Sequence, residues 1–461
     1  MAAEPRRAAP VTGDSLASPR PRSVAAIKAL EQRQQEEGSR SGLLRDPATD
    51  AAALREIAQR QLMAERLDGI ASGSITDHSE ALIALVGDPG YQRAVDSRVR
   101  LITDLLADSD GDLWSRYERP DHRRRLAMLV TNVERAALAL GYRVEQRPVV
   151  GTLDTGDVNA QALPGPPGEG HIVVFDSGMF RFCAMAAAVA VQALDLRFTD
   201  DGRALHVNAP DALAGHLAAR PGVIVQFADM VFSQATLGTC LLSGVYPLAV
   251  EYKGLGEAFA NAIETFVLAH EYGHLVLGHI DLPALRGESA DPHTLEFEAD
   301  RIGLAIAAEA VGAGHWALVG SAIFLIAVET LGRATSTFVS GLESVPVSDT
   351  HPDPRARLGR LVAALPAFVD PRLAPFIERL VESIALAYER LWAFCRPAFE
   401  RGHREGYPPA DFSPAASTNS RRRSTPSCRL ASLRLPRPAH SVVGLADAPA
   451  EQRVSEGPAY A

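Results

Sequence analysis

At 461 residues the chain has room for two or three domains and a sizeable buried core. Its 47% hydrophobic and 22% charged residues are an ordinary globular balance, and a net charge of −10 gives no basis for nucleic acid as a main partner. The charge is uneven, because residues 413–461 carry seven arginines against Asp447, Glu451 and Glu456, leaving that tail at +4 and the remainder at −14. Cys183, Cys240, Cys395 and Cys428 lie far apart with no metal-type pairing, which reads as free thiols in a reducing compartment. The N-terminus shows charge, proline and serine where a secretory signal has an apolar run, so the expected location is cytoplasmic.

Residues 1–45 are rich in Pro, Arg, Ser and Glu and are predicted to be a disordered N-terminal segment, with a short helical possibility over 24–37. From 46 to 141 apolar residues recur at three- and four-residue steps (Leu54, Ile57, Leu62; Ala81, Leu82, Leu85; Val99, Ile102, Leu105; Leu126, Leu129, Val130, Val133), predicting a helical N-terminal region. Residues 142–149 alternate like a short strand, and Pro164-Gly-Pro-Pro-Gly168 reads as a loop. A β-rich run, His171–Phe175, predicts a strand that begins on a surface histidine. Phe180–Leu196 follows as an Ala-rich helix, and Ala204–Val207 and Val223–Phe227 as further strands. Two stretches, Met230–Val250 and Ala310–Val328, contain no charged side chain. Their polar residues and glycines favour buried elements over membrane spans, so no stable membrane insertion is expected.

After a loop at Tyr252–Gly256 comes the stretch with the most chemistry, Phe266-Val-Leu-Ala-His270-Glu271-Tyr-Gly-His274-Leu-Val-Leu-Gly-His279. Phe259, Ile263, Phe266 and Val267 recur at helical spacing and place it on a long, buried helix. At about 100° per residue, His270 and His274 project some 40° apart and can meet one metal ion, while Glu271 lies about 100° round and can reach a metal-bound water. Histidine pairs with an adjacent carboxylate suit Zn2+ and hydrolysis, with Glu271 as general base. The neighbouring Tyr272 is expected to pack in the helix.

A catalytic zinc takes three protein ligands. His279 lies about 180° round an unbroken helix from His270 and qualifies only if Gly278 ends the helix and swings it back. Glu296 is the better candidate: Glu296 and Asp300 share a helical face, so one can ligate while the other accepts the free N–H of a ligating histidine. Glu298 points about 200° away from Glu296, toward solvent or a salt bridge.

His-Glu-x-x-His followed some twenty residues later by Glu-x-x-Ala-Asp resembles the gluzincin-type peptidases, the family of the CAAX prenyl endopeptidases and of the bacterial heat-shock and quality-control peptidases. Thr350-His351-Pro352, with Arg357 five residues after the proline, is similar to that family's third motif. The resemblance spans roughly residues 171–365. It implies His270, His274 and Glu296 as zinc ligands, Glu271 as base, Asp300 behind the ligands, and His351 near the site as an oxyanion donor or a group at the open zinc position. It also implies that His171–Phe175 is the edge strand onto which a substrate backbone adds. The His-Glu-x-x-His-x4-His form is similar as well to the phage-exclusion type of bacterial peptidase. Two departures stand out: there are no clear membrane helices, and the gap from 180 to 250 is long enough to be an insertion over the cleft.

Beyond the motifs, Leu373 to Phe394 predicts a long helix ended by Pro397, and residues 401–461 a disordered Pro/Ser/Arg-rich tail. The expectation is therefore an α+β, mainly helical, zincin-like metallopeptidase with a small β-sheet, its catalytic domain spanning 142–400. It would hydrolyse peptide bonds in a protein or peptide substrate. The alternative is a zinc-binding scaffold or interaction protein with the same fold.

Overall fold

A computed structural model of the protein describes residues 22–41, 55, 58–59, 89–107, 114–198, 205–207, 210–240, 243–244, 246, 248–281, 291–343 and 351–406. The helical expectation over 46–88, apart from the helical residues 55, 58 and 59, lies outside the described residues, as do Thr350, Cys428 and the arginine-rich tail. The chain is mainly helical with a small sheet. Its elements are α1 (Val24–Ser41), α2 (Pro89–Ala107), α3 (Pro120–Ala139), β1 (Val149–Leu153), β2 (Ala160–Pro164), β3 (His171–Asp176), α4 (Ser177–Ala193), a two-stranded ribbon of β4 (Arg197–Phe198) and β5 (Leu205–His206), α5 (Leu213–Ala219), α6 (Pro221–Leu237), α7 (Val250–Val276), α8 (Pro292–Val311), α9 (Gly314–Ser340), α10 (Pro354–Ala363) and α11 (Ala374–Arg404).

The three-stranded sheet has the order β1-β3-β2, with β1 parallel and β2 antiparallel to β3. This corrects the expectation for His171–Phe175, which is the central strand and not the edge. The reason is visible in its residues: Ile172 and Val174 pack on one face with α1, Val173 and Phe175 on the other with the main core, and a strand buried on both faces reads as a continuous apolar run. The free edge beside α7 belongs to β2, Ala-Gln-Ala-Leu-Pro, which lacks β-branched residues and ends in the proline that edge strands tolerate.

Helix α1 covers the outer face of the sheet with Ala26, Ile27 and Leu30. The helical possibility over 24–37 is thus a helix extending to Ser41, with buried contacts. Gln34 of α1 donates to Thr152 O at 2.7 Å, and the buried carboxylate of Glu118 accepts from Thr152 N and Oγ1 at 2.7 and 2.6 Å. Leu126, Leu129, Val130 and Val133 of α3 belong to the same core as the helices after residue 142.

Helix α7 is the axis of that core, with α4, α8 and α9 packed along it. Helix α4 is buried against α7, so the segment expected to cover the cleft lies within the core instead. Val223–Phe227 is helix, not strand. Pro221 starts α6, whose Val223, Phe227, Met230 and Val231 bury a helical stripe that outweighs local β preference. Tyr252–Gly256 is likewise helix, the first turns of α7 rather than a loop, with Tyr252 and Leu255 buried. Pro397 lies inside α11 and does not end it. Helix α9 is the one helix among the described residues long and apolar enough to cross a membrane, and 72% of its most apolar window is buried in the core. Cys183, Cys240 and Cys395 are free and buried.

Candidate metal centre

His270 and His274 stand one turn apart near the end of α7, and Glu296 and Asp300 stand one turn apart near the start of α8. Asp291 caps α8, accepting from the N–H groups of His293 and Thr294, which fixes where its first turns begin. What brings the two pairs together is a close helix crossing with no side chains in it. A Cβ on Gly303 would stand 2.8 Å from His270 Cα, and one on Gly273 would stand 2.8 Å from Ala299 O. Glycine at both points lets the backbones approach until the carboxylates reach the imidazoles.

His270, His274 and Glu296 form a group of donors able to hold a metal ion. His270 Nε2 lies 3.2 Å from His274 Nε2 and 3.4 Å from Glu296 Oε2, and His274 Nε2 lies 3.3 Å from Glu296 Oε1. All three residues are largely buried, and Glu296 Oε2 has no hydrogen-bond partner. A buried carboxylate oxygen left in that state is costly, and a cation among the three donors removes the cost.

His270 Nδ1 lies 3.0 Å from Asp300 Oδ1, closer than the 3.4 Å to Arg357 Nη2. The proton therefore sits on Nδ1, facing the carboxylate, and the Nε2 lone pair faces the cluster. Arg357 braces Asp300 as a fork, Nε to Oδ2 at 2.8 Å and Nη2 to Oδ1 at 2.6 Å. The electrostatics favour a positive charge here. Burial lowers the pKa of His270, but the carboxylates of Asp300 and then Glu296 beside the ring outweigh it and lift it to about 9. Burial raises that of Glu296, yet His270, His274 and Arg357 hold it far below the usual carboxylate range. For Asp300, burial is likewise outweighed by Arg357 and then His270, leaving its carboxyl at about 2.

Glu271 is buried, and its Oε2 accepts a 2.6 Å hydrogen bond from Ala162 N–H of β2. In β2 the odd positions face β3, since Asn159 O accepts from Asp176 N and Gly165 N donates to Gly170 O. The N–H of Ala162 therefore points out from the free edge toward α7. His351, on the segment leading into α10, is half exposed with Nε2 3.8 Å from Glu296 Oε2. Tyr272 is buried and donates to Glu134 on α3. His171 is partly buried, 3.3 Å from Asp281.

The structure thus gathers His270, Glu271, His274, Glu296, Asp300 and His351 in one place, and three further participants with them. Arg357 was visible as part of a motif but had no role until its contact with Asp300 was seen. Ala162 contributes only its backbone, which no side-chain pattern announces. His279 is no ligand, but it touches one: its Nδ1 lies 3.1 Å from His274 Nδ1. Burial, and then the neighbouring His274, keep its pKa below the usual histidine range.

No protein-family model matches the chain, nor does any curated protein or solved structure.

Proposed function

We propose that the cluster is a zinc centre and that the protein is a zinc-dependent endopeptidase in which Glu271 is the general base. The observation that carries this reading is the donor cluster: the Nε2 atoms of His270 and His274 lie 3.2 Å apart, the first 3.4 Å from Glu296 Oε2 and the second 3.3 Å from Glu296 Oε1. Ligands about 2.0–2.1 Å from a tetrahedral zinc lie about 3.3–3.4 Å from one another, so the two imidazole nitrogens are already spaced as two corners of such a site, and each has an oxygen of the Glu296 carboxylate at that same spacing. Held by these three residues alone, a zinc ion would keep a fourth position for water or substrate, as catalytic rather than closed structural sites do. The likeness of the three motifs to the gluzincin-type peptidases supports the same reading.

When bound, zinc supplies a Lewis acid that acidifies water and polarises a carbonyl. The rest falls to the chain. Glu271 takes a proton from the attacking water and returns it to the departing amine. The free edge of β2 offers backbone groups to an extended peptide, which aligns it along α7. His351, half exposed beside Glu296, would donate to the oxygen of the carbonyl under attack.

Glu271→Gln is the deciding variant. It should retain one zinc per chain and lose about 10²–10⁴-fold of peptide cleavage, measured on a peptide library and by comparing protein termini in cells carrying either form. A wild-type protein that holds zinc, cleaves nothing and cannot be told from the variant would leave the scaffold reading standing.

A further inference from the structure

Among the described residues His274 has no carboxylate behind it as His270 has, and the end of α7 shows what stands there instead. Gly278 adopts φ 69°, its N–H donates to Leu275 O, and the N–H of His279 donates to His274 O at 2.9 Å. This pair of bonds is a Schellman cap, a motif that places the side chains of the first and last residues it joins against one another. Those residues are commonly apolar; here they are His274 and His279. Their Nδ1 atoms lie 3.1 Å apart, and His279 Nε2 lies 3.3 Å from Glu298 Oε2 on α8.

We infer that His279 and Glu298 form a positioning relay that fixes the tautomer of His274 and turns its Nε2 lone pair toward the metal. The reasoning is proton accounting. An ionised carboxylate only accepts, so Glu298 calls for the proton of His279 on Nε2. His279 Nδ1 is then a lone pair facing His274, which must carry its own proton on Nδ1 and present a bare Nε2 to the cluster. The reverse arrangement fails at both ends. It would set a lone pair of His279 against the carboxylate and a proton of His274 against His270 and Glu296, where the metal belongs. The His279 side chain is only 5% exposed, so water does not compete for these bonds, while Glu298 stands at the half-exposed end. The two metal histidines are therefore supported differently, one by a buried carboxylate and arginine, the other through a second imidazole.

The inference rests on the zinc reading above, and its test keeps the two apart. Zinc affinity of the full chain is measured by competition with a chromophoric chelator, together with the visible absorption of the Co2+-loaded protein and the melting temperature. His279→Leu should bind zinc about 10–100-fold more weakly and shift the Co2+ bands. His279→Asn, whose side-chain oxygen accepts at the place of Nδ1, should recover affinity to within a few-fold and restore the spectrum. Glu298→Ala, which removes the acceptor, should weaken binding with no change in melting, and it decides the matter if the leucine variant does not fold. Wild-type affinity in His279→Leu or in Glu298→Ala overturns the relay, as does an asparagine variant as weak as leucine. A wild-type chain that takes up no zinc overturns the metal centre itself.

Discussion

The crossing of α7 and α8 gives a prediction whose size can be worked out. In Gly303→Ala the new Cβ would stand 2.8 Å from His270 Cα, 2.9 Å from His270 N and 3.2 Å from Ala269 C, all backbone atoms that no rotamer change can move. Ordinary carbon contacts lie at about 3.5–4.0 Å, so the helices must part by roughly 0.7–1 Å. Overpacking of this kind costs about 1–3 kcal/mol, a fall in melting temperature of roughly 2–6 °C for a chain of this size. The larger effect falls on the metal. Glu296 rides on α8, so the same displacement carries its carboxylate from 3.3–3.4 Å toward about 4 Å from the imidazole nitrogens, beyond the roughly 0.5 Å tolerance of such sites, and zinc affinity should drop tenfold or more. Chelator competition and thermal melting read the two quantities separately. Gly254→Ala is the control, since a Cβ there meets nothing within 4 Å, and replacing a mid-helix glycine should stabilise α7 by up to about 1 kcal/mol. If Gly303→Ala binds zinc like the wild type and melts like the control, the close crossing is not what assembles the site.

Two pH-dependent outcomes follow from the charges around the cluster. Zinc must displace the proton that the carboxylates favour on His270, so apparent affinity should rise about tenfold per pH unit up to about 9, with proton release visible by calorimetry in buffers of different ionisation enthalpy. A flat profile from pH 6 to 9 would contradict that picture. Asp300 titrates at about 2, below its ordinary value near 4, so its stabilisation is complete above about pH 4 and is lost as the pH falls toward 2. It amounts to roughly 2 kcal/mol. Denaturant melts between pH 5 and 2 should show Asp300→Asn losing less stability with acid than the wild type, and equal slopes would count against the Arg357–Asp300–His270 chain.

The grouping of the candidate metal donors was legible in the sequence because a helix converts spacing into direction without help from the rest of the fold. His270 and His274, and then Glu296 and Asp300, are each four apart, and one turn is all that is needed to place them on a face. What stayed hidden depends on partners distant in sequence. The apolar run Ile172–Phe175 is what a strand buried on both faces looks like, but its central place is fixed only when β1 and β2, both outside that run, pair with it. Val223–Phe227 reads as strand by local preference, and only its burial among the helices of the core makes it α6. His279 is instructive because the information was present: Gly278 at a helix end implies a cap, and the cap implies contact between the residues five apart that flank it. A helical wheel drawn straight through Gly278 carries His279 to the wrong side.

The position of α1 has a consequence for the order in which the molecule can be made. Its apolar face, Ala26, Ile27 and Leu30, has as its partners strands that begin at Val149, roughly a hundred residues later. At about 5–20 residues per second the helix waits roughly 5–20 s during synthesis for the sheet it covers. A three-stranded sheet needs packing on its faces to be stable, so β2, and with it the Ala162 N–H that holds Glu271, is secured only once this early helix is recruited back. The metal cluster waits longer still, since Glu296 and Asp300 follow on α8 and the arginine that braces Asp300 arrives with α10. The first described helix and a late one thus meet at opposite ends of the same assembly, and a nascent chain stopped short of Arg357 holds every candidate zinc ligand without the brace that orients the first of them.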